Sequence, residues 1–190
     1  MKTALLVVDM QNFFGPMVVD SLPNVVTLIK HFRSLDLPVI FTQHGHKKEE
    51  LVADSKSQLV RKWGIDNSVH YGSKAWELLP EIDALFKQGR FPVIPKNTYD
   101  AFLGTDLEKI LKEEGVERVV VCGVMTDCCC DTTGRGSFNR GWETWMVADA
   151  CGTANETQHK RGLAVFEYAY GEVISTEETM ARVKAAECRL

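Results

Sequence analysis

Several short apolar runs in this chain end abruptly at a polar residue. The clearest are residues 4–8 (ALLVV), which stop at Asp9, and residues 119–122 (VVVC), which stop at Gly123. Runs of this length without polar alternation are typical of strands that are buried on both faces of a parallel sheet. Further runs of this kind lie at residues 38–41, 92–94, 145–148 and 173–174. The pattern predicts a mainly parallel sheet of about six strands.

Segments with helical spacing lie between these runs. Apolar residues recur on one helical face in residues 25–32, 127–139 and 156–170. Thr105 is placed to cap a further helix, with Glu108 three residues later to complete a capping box and Gly115 to end the helix. Alternating strands and helices predict a three-layer, doubly wound α/β fold.

The composition is that of a folded domain in water. The 190 residues are 45% hydrophobic and 25% charged, with a formal net charge of −4. No lysine- and arginine-rich run suggests a nucleic-acid or anionic-membrane partner. No apolar stretch approaches the ~20 residues that span a bilayer, and the N-terminus reads as a strand, not as a signal peptide. We expect a single domain over residues 1–190, located in the cytoplasm.

Six cysteines, at positions 122, 128, 129, 130, 151 and 188, favour reduced cytosolic thiols over a disulfide scaffold. Three of them are consecutive. Because neighbours in a helix point about 100° apart, at most one can face a pocket squarely, and the same geometry argues against a three-thiolate metal site. Composition alone does not choose among the three, and all of them could instead be small apolar fillers of the core.

Reactive side chains follow three of the predicted strands: Asp9, Lys96 and the cysteine cluster after Gly123. In an open α/β sheet, ligands bind beyond the carboxyl ends of the strands. An ammonium favours a nearby thiolate, a carboxylate can take up and return a proton, and N–H groups at the start of a helix can stabilise an oxyanion. Together these groups predict a nucleophilic site.

Three blocks of sequence resemble the isochorismatase-like cysteine hydrolase superfamily, which includes nicotinamidases, N-carbamoylsarcosine amidases and ureidoacrylate-type amidohydrolases. Residues 6–14 (LVVDMQNFF) are similar to its D-x-Q-x-x-F opening strand, and residues 95–107 (PKNTYDAFLGTDL) to its lysine block. Residues 123–133 (GVMTDCCCDTT) match its G-V-x-T-x-x-C-x-x-x-T pattern in a register that selects Cys129. The resemblance implies an isochorismatase-like, Rossmann-like fold.

The resemblance also implies a role for each matched residue. Asp9 would be the general acid and base, Lys96 would stabilise the thiolate, and Cys129 would attack a carbonyl carbon. A cis peptide bond between Val124 and Met125 would direct the N–H of Met125, with that of Cys129, at the oxyanion. The implied reaction is hydrolysis of an amide, carbamoyl or ureido C–N bond through a thioester intermediate.

Histidines and aromatic residues are the candidate walls of a substrate pocket. Nicotinamidases of this superfamily hold a metal through an Asp-x-His pair and a further His, but here His44 stands at the aspartate position, which disfavours nicotinamide as substrate. We therefore expect no cofactor, with His44 and His46 lining or gating the pocket; the alternative is Zn²⁺ held by His44, His46 and His70. The pocket candidates are Gln11, Phe14, His44, His46, Tyr99 and Phe102.

Two parts of the chain do not follow these patterns. Residues 43–73 lack clear periodicity, so they form a lid or pocket wall, of which Trp63 is a candidate member, or contain short helices. After Thr133 the chain departs from the superfamily with Gly134, Arg135 and Gly136, which predicts a loosened or closely packed helix. Arg135 is then a surface charge or an anion contact.

Two functions besides amide hydrolysis stay open. An isochorismatase would hydrolyse a vinyl ether with Asp9 as the acid and would need no thiol nucleophile. A catalytically silent member would serve as a binding or assembly module, which the presence of all three reactive residues argues against. For the enzyme we expect a small-molecule substrate and a homo-oligomer, a dimer or tetramer.

Overall fold

The computed structural model describes residues 1–187, so Cys188 lies outside the described residues. Six strands form one sheet in the order β3-β2-β1-β4-β5-β6, and every pair of neighbours is parallel. This confirms the predicted parallel sheet of about six strands. The strands are β1 (Thr3–Val8), β2 (Val39–His44), β3 (Ile94–Lys96), β4 (Arg118–Val124), β5 (Glu143–Gly152) and β6 (Glu172–Ile174).

Helices cover both faces of the sheet. They are α1 (Leu22–Ser34), α2 (Gln58–Trp63), α3 (Pro80–Phe86), α4 (Leu107–Glu113), α5 (Asp131–Asn139), α6 (Glu156–Ala169) and α7 (Thr176–Glu187). Short 3₁₀ helices occupy Asn12–Met17, Lys48–Glu50 and Ile65–Asn67, and a π-helical turn, Thr126–Cys130, leads into α5. The irregular segment 43–73 thus contains short helices that its sequence did not predict.

Each central strand contributes to two apolar clusters, one on each face of the sheet. Along β1, Leu5 and Val7 belong to one cluster, whereas Leu6 belongs to the other. Leu28 on α1 packs into the first cluster and Leu107 on α4 into the second. Burying an aliphatic side chain of this size contributes about 1.5–3 kcal/mol, so both helix layers are held by the strands between them. This confirms the three-layer α/β architecture.

One predicted strand boundary and one predicted helix cap are wrong. The strand expected at residues 92–94 runs instead over Ile94–Lys96, where it pairs with the end of β2; at this edge position Pro95, which has no N–H, is tolerated. The helix after Thr105 has no capping box, because the Glu108 carboxylate bonds Lys112 and Arg140 instead. Thr105 does accept a hydrogen bond from the N–H of Leu107, at 3.2 Å.

The glycines after Thr133 allow close packing. A Cβ atom on Gly134 would lie 2.5 Å from the Phe166 ring of α6. Arg135 is a partly exposed surface charge whose guanidinium bonds the Asp131 carboxylate and the Tyr170 hydroxyl. None of the helices in residues 1–187 is both long enough and apolar enough to cross a membrane.

Candidate active site

Asp9 directly follows β1, in a backbone conformation with φ of +51°. Aspartate is among the residues that tolerate this left-handed region. Its N–H donates to the Thr42 hydroxyl at 3.1 Å, and that hydroxyl donates to Oδ1 of Asp9 at 2.6 Å. The end of β1 is therefore fixed to its neighbour β2, and the carboxylate is buried with one oxygen already engaged.

Gly123 brings the other half of the site close to Asp9. Its φ is +117°, and a Cβ atom there would lie 2.1 Å from the Val8 carbonyl oxygen, so only glycine fits at this contact between β1 and β4. The peptide bond between the two residues that follow, Val124 and Met125, is cis, at the position that the resemblance implies. The chain then enters the π-helical turn that contains Cys129.

Lys96 joins the acid to the thiol. It is the last residue of β3 and its side chain is fully buried. Its ammonium lies 2.6 Å from Oδ2 of Asp9, and donates to the Thr98 carbonyl oxygen at 2.9 Å and to Sγ of Cys129 at 3.3 Å. Each of its three protons therefore has a partner, and the three side chains expected at this sheet edge are in mutual contact.

The three consecutive cysteines point in different directions, as helical geometry predicted. Cys129 faces Lys96, Cys130 is fully buried in the core, and Cys128 is half-buried beside Tyr99. Cys130 therefore fills space in the apolar core, which is the structural role that the sequence leaves open for all three cysteines. Burial raises the pKa of both Cys128 and Cys130.

Burial and two opposite charges act on the Cys129 thiol. Burial raises the pKa of Cys129; the Lys96 ammonium opposes this, and the Asp9 carboxylate adds to it. Burial lowers the pKa of Lys96, but the ion pair with Asp9 and the contact with Cys129 outweigh this and raise it. That Lys96 stabilises the thiolate stays a prediction, with which its contact to Sγ of Cys129 at 3.3 Å agrees.

A partly open cavity of about 320 Å³ is lined in part by Cys129. Its walls come from the 3₁₀ helix after β1, the end of β2, the segment around α2, and the loops after β3, β4 and β5. The lining residues are Phe13, Phe14, Met17, His44, His46, Leu59, Trp63, Asn67, Ser68, Val69, Tyr99, Met125, Cys129 and Ala154. Of the pocket candidates, Phe14, His44, His46 and Tyr99 line the cavity.

The other two pocket candidates lie outside this lining. Gln11 holds the backbone of His44, whose N–H donates to Oε1 at 2.7 Å and whose carbonyl oxygen accepts from Nε2 at 2.9 Å. Phe102 is buried and stacked on Trp142. Ala154 was missed although it follows β5, whose carboxyl end meets the same edge. The lining residues from Leu59 to Val69 lie in a segment without hydrophobic periodicity, and Trp63 was the candidate among them.

His44 and His46 are neutral groups packed against each other. Their ring centroids are 5.0 Å apart and their planes nearly perpendicular, at 86°. Burial, with Lys96 adding to it, lowers the pKa of His44 to about 3. Burial also lowers the pKa of His46, against the opposing effect of Glu50, whose Oε1 lies 3.8 Å from Nδ1.

These residues do not fit the metal that nicotinamidases of the superfamily hold. Within residues 1–187, no three His, Cys, Asp or Glu side chains are placed to hold a metal ion together. His70 is exposed and outside the cavity lining, and pairs with His46 only through its backbone. The alternative of a zinc site at His44, His46 and His70 is therefore wrong.

Tyr99 and Thr133 tie the loop after β3 to both sides of the site. The Thr133 hydroxyl donates to the Tyr99 carbonyl oxygen and accepts from the Ala101 N–H, both at 3.1 Å. The Tyr99 hydroxyl accepts a hydrogen bond of 2.7 Å from Nε1 of Trp63, across the cavity mouth. The loop that carries Tyr99 is therefore anchored to α5, which directly follows the turn that contains Cys129.

Comparisons with known proteins agree with this geometry. Residues 3–178 match the model of the Isochorismatase domain. The chain is 34% identical to Nicotinamidase 3 of Arabidopsis thaliana, over 92% of this chain and 85% of that protein. A cysteine hydrolase from Pseudomonas syringae pv. phaseolicola 1448A shares the fold, with a TM-score of 0.85 and 23% identity over 97% of this chain and 93% of that one. N-carbamoylsarcosine amidase from Thermoplasma acidophilum has a TM-score of 0.76 at 26% identity, covering 93% and 97%.

Proposed function

This chain belongs to the isochorismatase family of hydrolases, and from that premise we propose that it is an amidohydrolase. It cleaves an amide, carbamoyl or ureido C–N bond of a small molecule through a thioester on Cys129. The observation that carries this proposal is the contact of the Lys96 ammonium with both Asp9 and Cys129, beside a cavity that Cys129 lines. A nicotinamidase and an N-carbamoylsarcosine amidase among the relatives support C–N cleavage as the reaction.

The first half of the reaction acylates the thiol. Sγ of Cys129 attacks the substrate carbonyl carbon, and its proton passes to Asp9, whose Oδ2 has no partner among the described residues besides the Lys96 ammonium. A tetrahedral intermediate forms with negative charge on the former carbonyl oxygen. Asp9 then returns the proton to the nitrogen as the C–N bond breaks, and the amine or ammonia leaves.

The second half regenerates the enzyme. Water attacks the thioester carbonyl carbon while Asp9 accepts a proton from it. The C–S bond breaks, the carboxylic acid leaves, and Asp9 returns the proton to Cys129. The same carboxylate therefore acts as base and acid in both halves. Lys96 holds it in place and stabilises the sulfur while the sulfur carries negative charge.

Backbone N–H groups of Met125 and Cys129 hold the oxyanion in this proposal. Within the described part of the chain, the N–H of Met125 has no hydrogen-bond acceptor. The N–H groups of Cys128 and Cys130 both donate to the Met125 carbonyl oxygen, at 3.1 and 3.0 Å, which fixes the turn around Cys129. Removing one such donor in a well-characterised protease slows turnover by about 10²–10³-fold.

A screen for ammonia or amine release tests the proposal. Small amides, carbamoyl and ureido compounds are incubated with the wild type, with Cys129→Ala and with Cys128→Ala as a matched control. We expect Cys129→Ala to lose about 10⁴-fold or more in turnover, and Cys128→Ala to keep most of it. Intact-mass spectrometry then detects an acyl group on wild-type protein but not on Cys129→Ala.

The same screen separates the alternatives. An isochorismatase would hydrolyse isochorismate with Cys129→Ala as fast as with the wild type, and would lose this activity in Asp9→Asn. A binding module would hydrolyse neither class of compound. Nicotinamide belongs in the panel because of the named relative, although His44 at the aspartate position disfavours it. The homo-oligomer stays a prediction that light scattering tests.

A further inference from the structure

His159 is a half-buried residue of α6 that contacts the turn leading to Cys129. Its Nδ1 atom lies 2.9 Å from the hydroxyl oxygen of Thr126, the first residue of the π-helical turn. The same hydroxyl donates to the carbonyl oxygen of Gly152, the last residue of β5, at 3.1 Å. Thr126 is fully buried, so water does not compete for these contacts. His159, Thr126 and Gly152 all lie outside the lining of the cavity beside Cys129.

The two contacts of the Thr126 hydroxyl have an assignable direction. A carbonyl oxygen only accepts, and the hydroxyl has a single proton, which it gives to Gly152. The hydroxyl oxygen then accepts from His159, in the form of the imidazole whose Nδ1 carries a proton. A directional pair of hydrogen bonds therefore runs from α6 through Thr126 to the end of β5.

Both ends of this pair are held by close packing. Gly152 pairs with Val124 across β5 and β4, and a Cβ atom on Gly152 would lie 2.2 Å from a carbonyl oxygen of the 3₁₀ helix after β1. On α6, a Cβ atom at Gly162 would lie 3.0 Å from Cα of Asp127 in the turn. Gly162 is three residues after His159, and residues at this spacing share a helix face. The face of α6 that carries His159 therefore lies against the turn.

Thr126 directly follows Met125, whose N–H is one of the two oxyanion donors in the proposed reaction. The carbonyl oxygen of Met125 is already held by the N–H groups of Cys128 and Cys130, at 3.1 and 3.0 Å. The Thr126 hydroxyl holds the same short stretch of backbone from its other side. A reacting group that is misplaced by about 1 Å can lose about 10²-fold in rate, so a tie at this point bears directly on the oxyanion.

We propose that His159 is a positioning residue, which through Thr126 holds the N–H of Met125 where the oxyanion forms. The inference rests on the amidohydrolase function proposed above and adds to it a residue outside the cavity. Without the His159 hydrogen bond, the turn is tied through the Thr126 hydroxyl to β5 alone. The oxyanion is then stabilised less, whereas the thiol of Cys129, which contacts Lys96, keeps its reactivity.

Two substitutions of similar shape separate the hydrogen bond from the bulk of the side chain. His159→Asn places an N–H donor, Nδ2, the same number of bonds from the backbone as Nδ1 of histidine. His159→Leu has the same branched shape and no donor. Leucine is also a better helix former than asparagine, so a defect confined to His159→Leu does not come from a weakened α6. Lys160→Leu, at the exposed neighbour on α6, is the control.

Two reagents separate oxyanion stabilisation from the reactivity of the thiol, and neither requires knowledge of the substrate. With p-nitrophenyl acetate, Sγ of Cys129 bonds the carbonyl carbon, the thiol proton passes to Asp9, and p-nitrophenolate leaves from a tetrahedral intermediate that carries an oxyanion. With iodoacetamide, a C–S bond forms as the C–I bond breaks, iodide and the thiol proton are released, and no oxyanion arises. Rates measured with Cys129→Ala are subtracted as background, and peptide mass spectrometry identifies the labelled cysteine.

The acylation rate should respond to the donor and the alkylation rate should not. We expect His159→Leu to lower acylation of Cys129 about tenfold and to leave alkylation within about twofold. His159→Asn and Lys160→Leu should keep both rates within about threefold of the wild type. Thr126→Val removes the hydroxyl itself and should lower acylation at least as much. Adding His159→Leu to Thr126→Val should then cause no further loss, because both changes act through one contact.

Four results would overturn the inference. They are a wild type whose Cys129 is not acylated, an unchanged ratio of acylation to alkylation in His159→Leu, an equal loss of this ratio in His159→Asn, and an equal fall of both rates, which would make His159 a merely structural residue. The release screen tests the proposed function separately. If no amide is hydrolysed but the ratio falls in His159→Leu alone, the amidohydrolase fails and His159 stands as a positioning residue for acyl transfer to Cys129.

Discussion

The cavity has two walls that are built differently. The sheet wall consists of Cys129, which lines the cavity, with Asp9 and Lys96 behind it; all three are buried and joined through contacts of 2.6 to 3.3 Å beyond the ends of β4, β1 and β3. The loop wall comes from residues 45–79 and includes α2, which has only six residues. Trp63, at the end of α2, is 45% exposed and meets the opposite side through its hydrogen bond to Tyr99.

This difference separates the requirements of chemistry from those of specificity. Proton transfer between a thiol and a carboxylate needs positions fixed to within a fraction of an ångström, which strand ends in a paired sheet provide. Recognition of an acyl group needs a surface of suitable shape, which a segment of loops and short helices can supply. Changes in the sheet wall should therefore act on stability and kcat, and changes in the loop wall on KM.

The largest effect is expected from Lys96→Met. It leaves Asp9 buried without a counter-ion, and removing one partner of a buried pair costs about 3–5 kcal/mol in the free energy of unfolding. Turnover should fall below detection. The matched control is Lys62→Met on α2, an exposed lysine of the loop wall, which should change stability by less than about 0.5 kcal/mol.

Urea unfolding followed by circular dichroism measures both variants. A Lys96→Met protein as stable as the wild type would mean that the contact between Lys96 and Asp9 adds nothing to the stability of the sheet wall. The distinction between the two walls would then lose its electrostatic basis, because no buried ion pair would hold the sheet wall together.

Asp9→Asn should slow hydrolysis but speed up the alkylation of Cys129. Loss of the acid and base lowers kcat by about 10²–10⁴-fold. The Asp9 carboxylate also raises the pKa of Cys129, and without it the Lys96 ammonium is no longer neutralised. The thiolate is then favoured, so alkylation of Cys129 by iodoacetamide at neutral pH should become faster although hydrolysis becomes slower.

Peptide mass spectrometry follows alkylation of Cys129 and Cys128 in the same sample. The half-buried Cys128 is the internal control, and its rate should stay the same in both proteins. Slower alkylation of Cys129 in Asp9→Asn would show that Asp9 promotes the thiolate at rest, contrary to the charge arrangement described above.

The sheet wall could be predicted from the sequence because its positions follow from strand ends. Asp9 and Lys96 each lie where a short apolar run stops, and parallel strands bring those ends to one edge. The choice of Cys129 over its neighbours came from the register of the family motif. The pattern did not predict the 2.6 Å contact between Lys96 and Asp9, through which the carboxylate offsets the effect of the ammonium on the thiol.

The loop wall could not be predicted for physical reasons. Helices of three to six residues bury too few side chains to produce a periodic signal, and their positions depend on tertiary contacts such as that between the His46 N–H and the Val69 carbonyl oxygen. The wrong assignment of Phe102 has a similar cause. Its place after Lys96 suggested the pocket, but the loop turns it into the core against Trp142.

His44, where the two walls meet, should make stability depend on pH. Its pKa is about 3 in the folded protein, below the ordinary 6.5. The unfolded chain binds the proton first, so this stability is fully present above pH ~6.5 and is lost as pH falls towards 3, by at most about 1.4 kcal/mol per pH unit. His46 adds to the effect in the same direction.

Urea unfolding at neutral pH and at pH about 4.5 measures this slope. His44→Gln has no group that titrates there and should reduce the slope, whereas His70→Gln, at the exposed histidine, should not. Equal slopes in the wild type and His44→Gln would show that the imidazole can be protonated in place, contrary to the effect of its burial.

The smallest effect is expected from Trp63→Phe, which removes the donor to Tyr99 and keeps an aromatic ring in the loop wall. A single neutral hydrogen bond near the surface contributes about 0.5–1.5 kcal/mol, so we expect KM to rise a few-fold and kcat to stay within about twofold. Tyr99→Phe removes the acceptor of the same bond, and in the double variant the two effects should not add. Steady-state kinetics on the compound that the wild type hydrolyses fastest in the screen gives kcat and KM for all four proteins. A fall in kcat for Trp63→Phe as large as that for Asp9→Asn would mean that the loop wall positions the reacting groups, and that chemistry and specificity are not divided between the two walls.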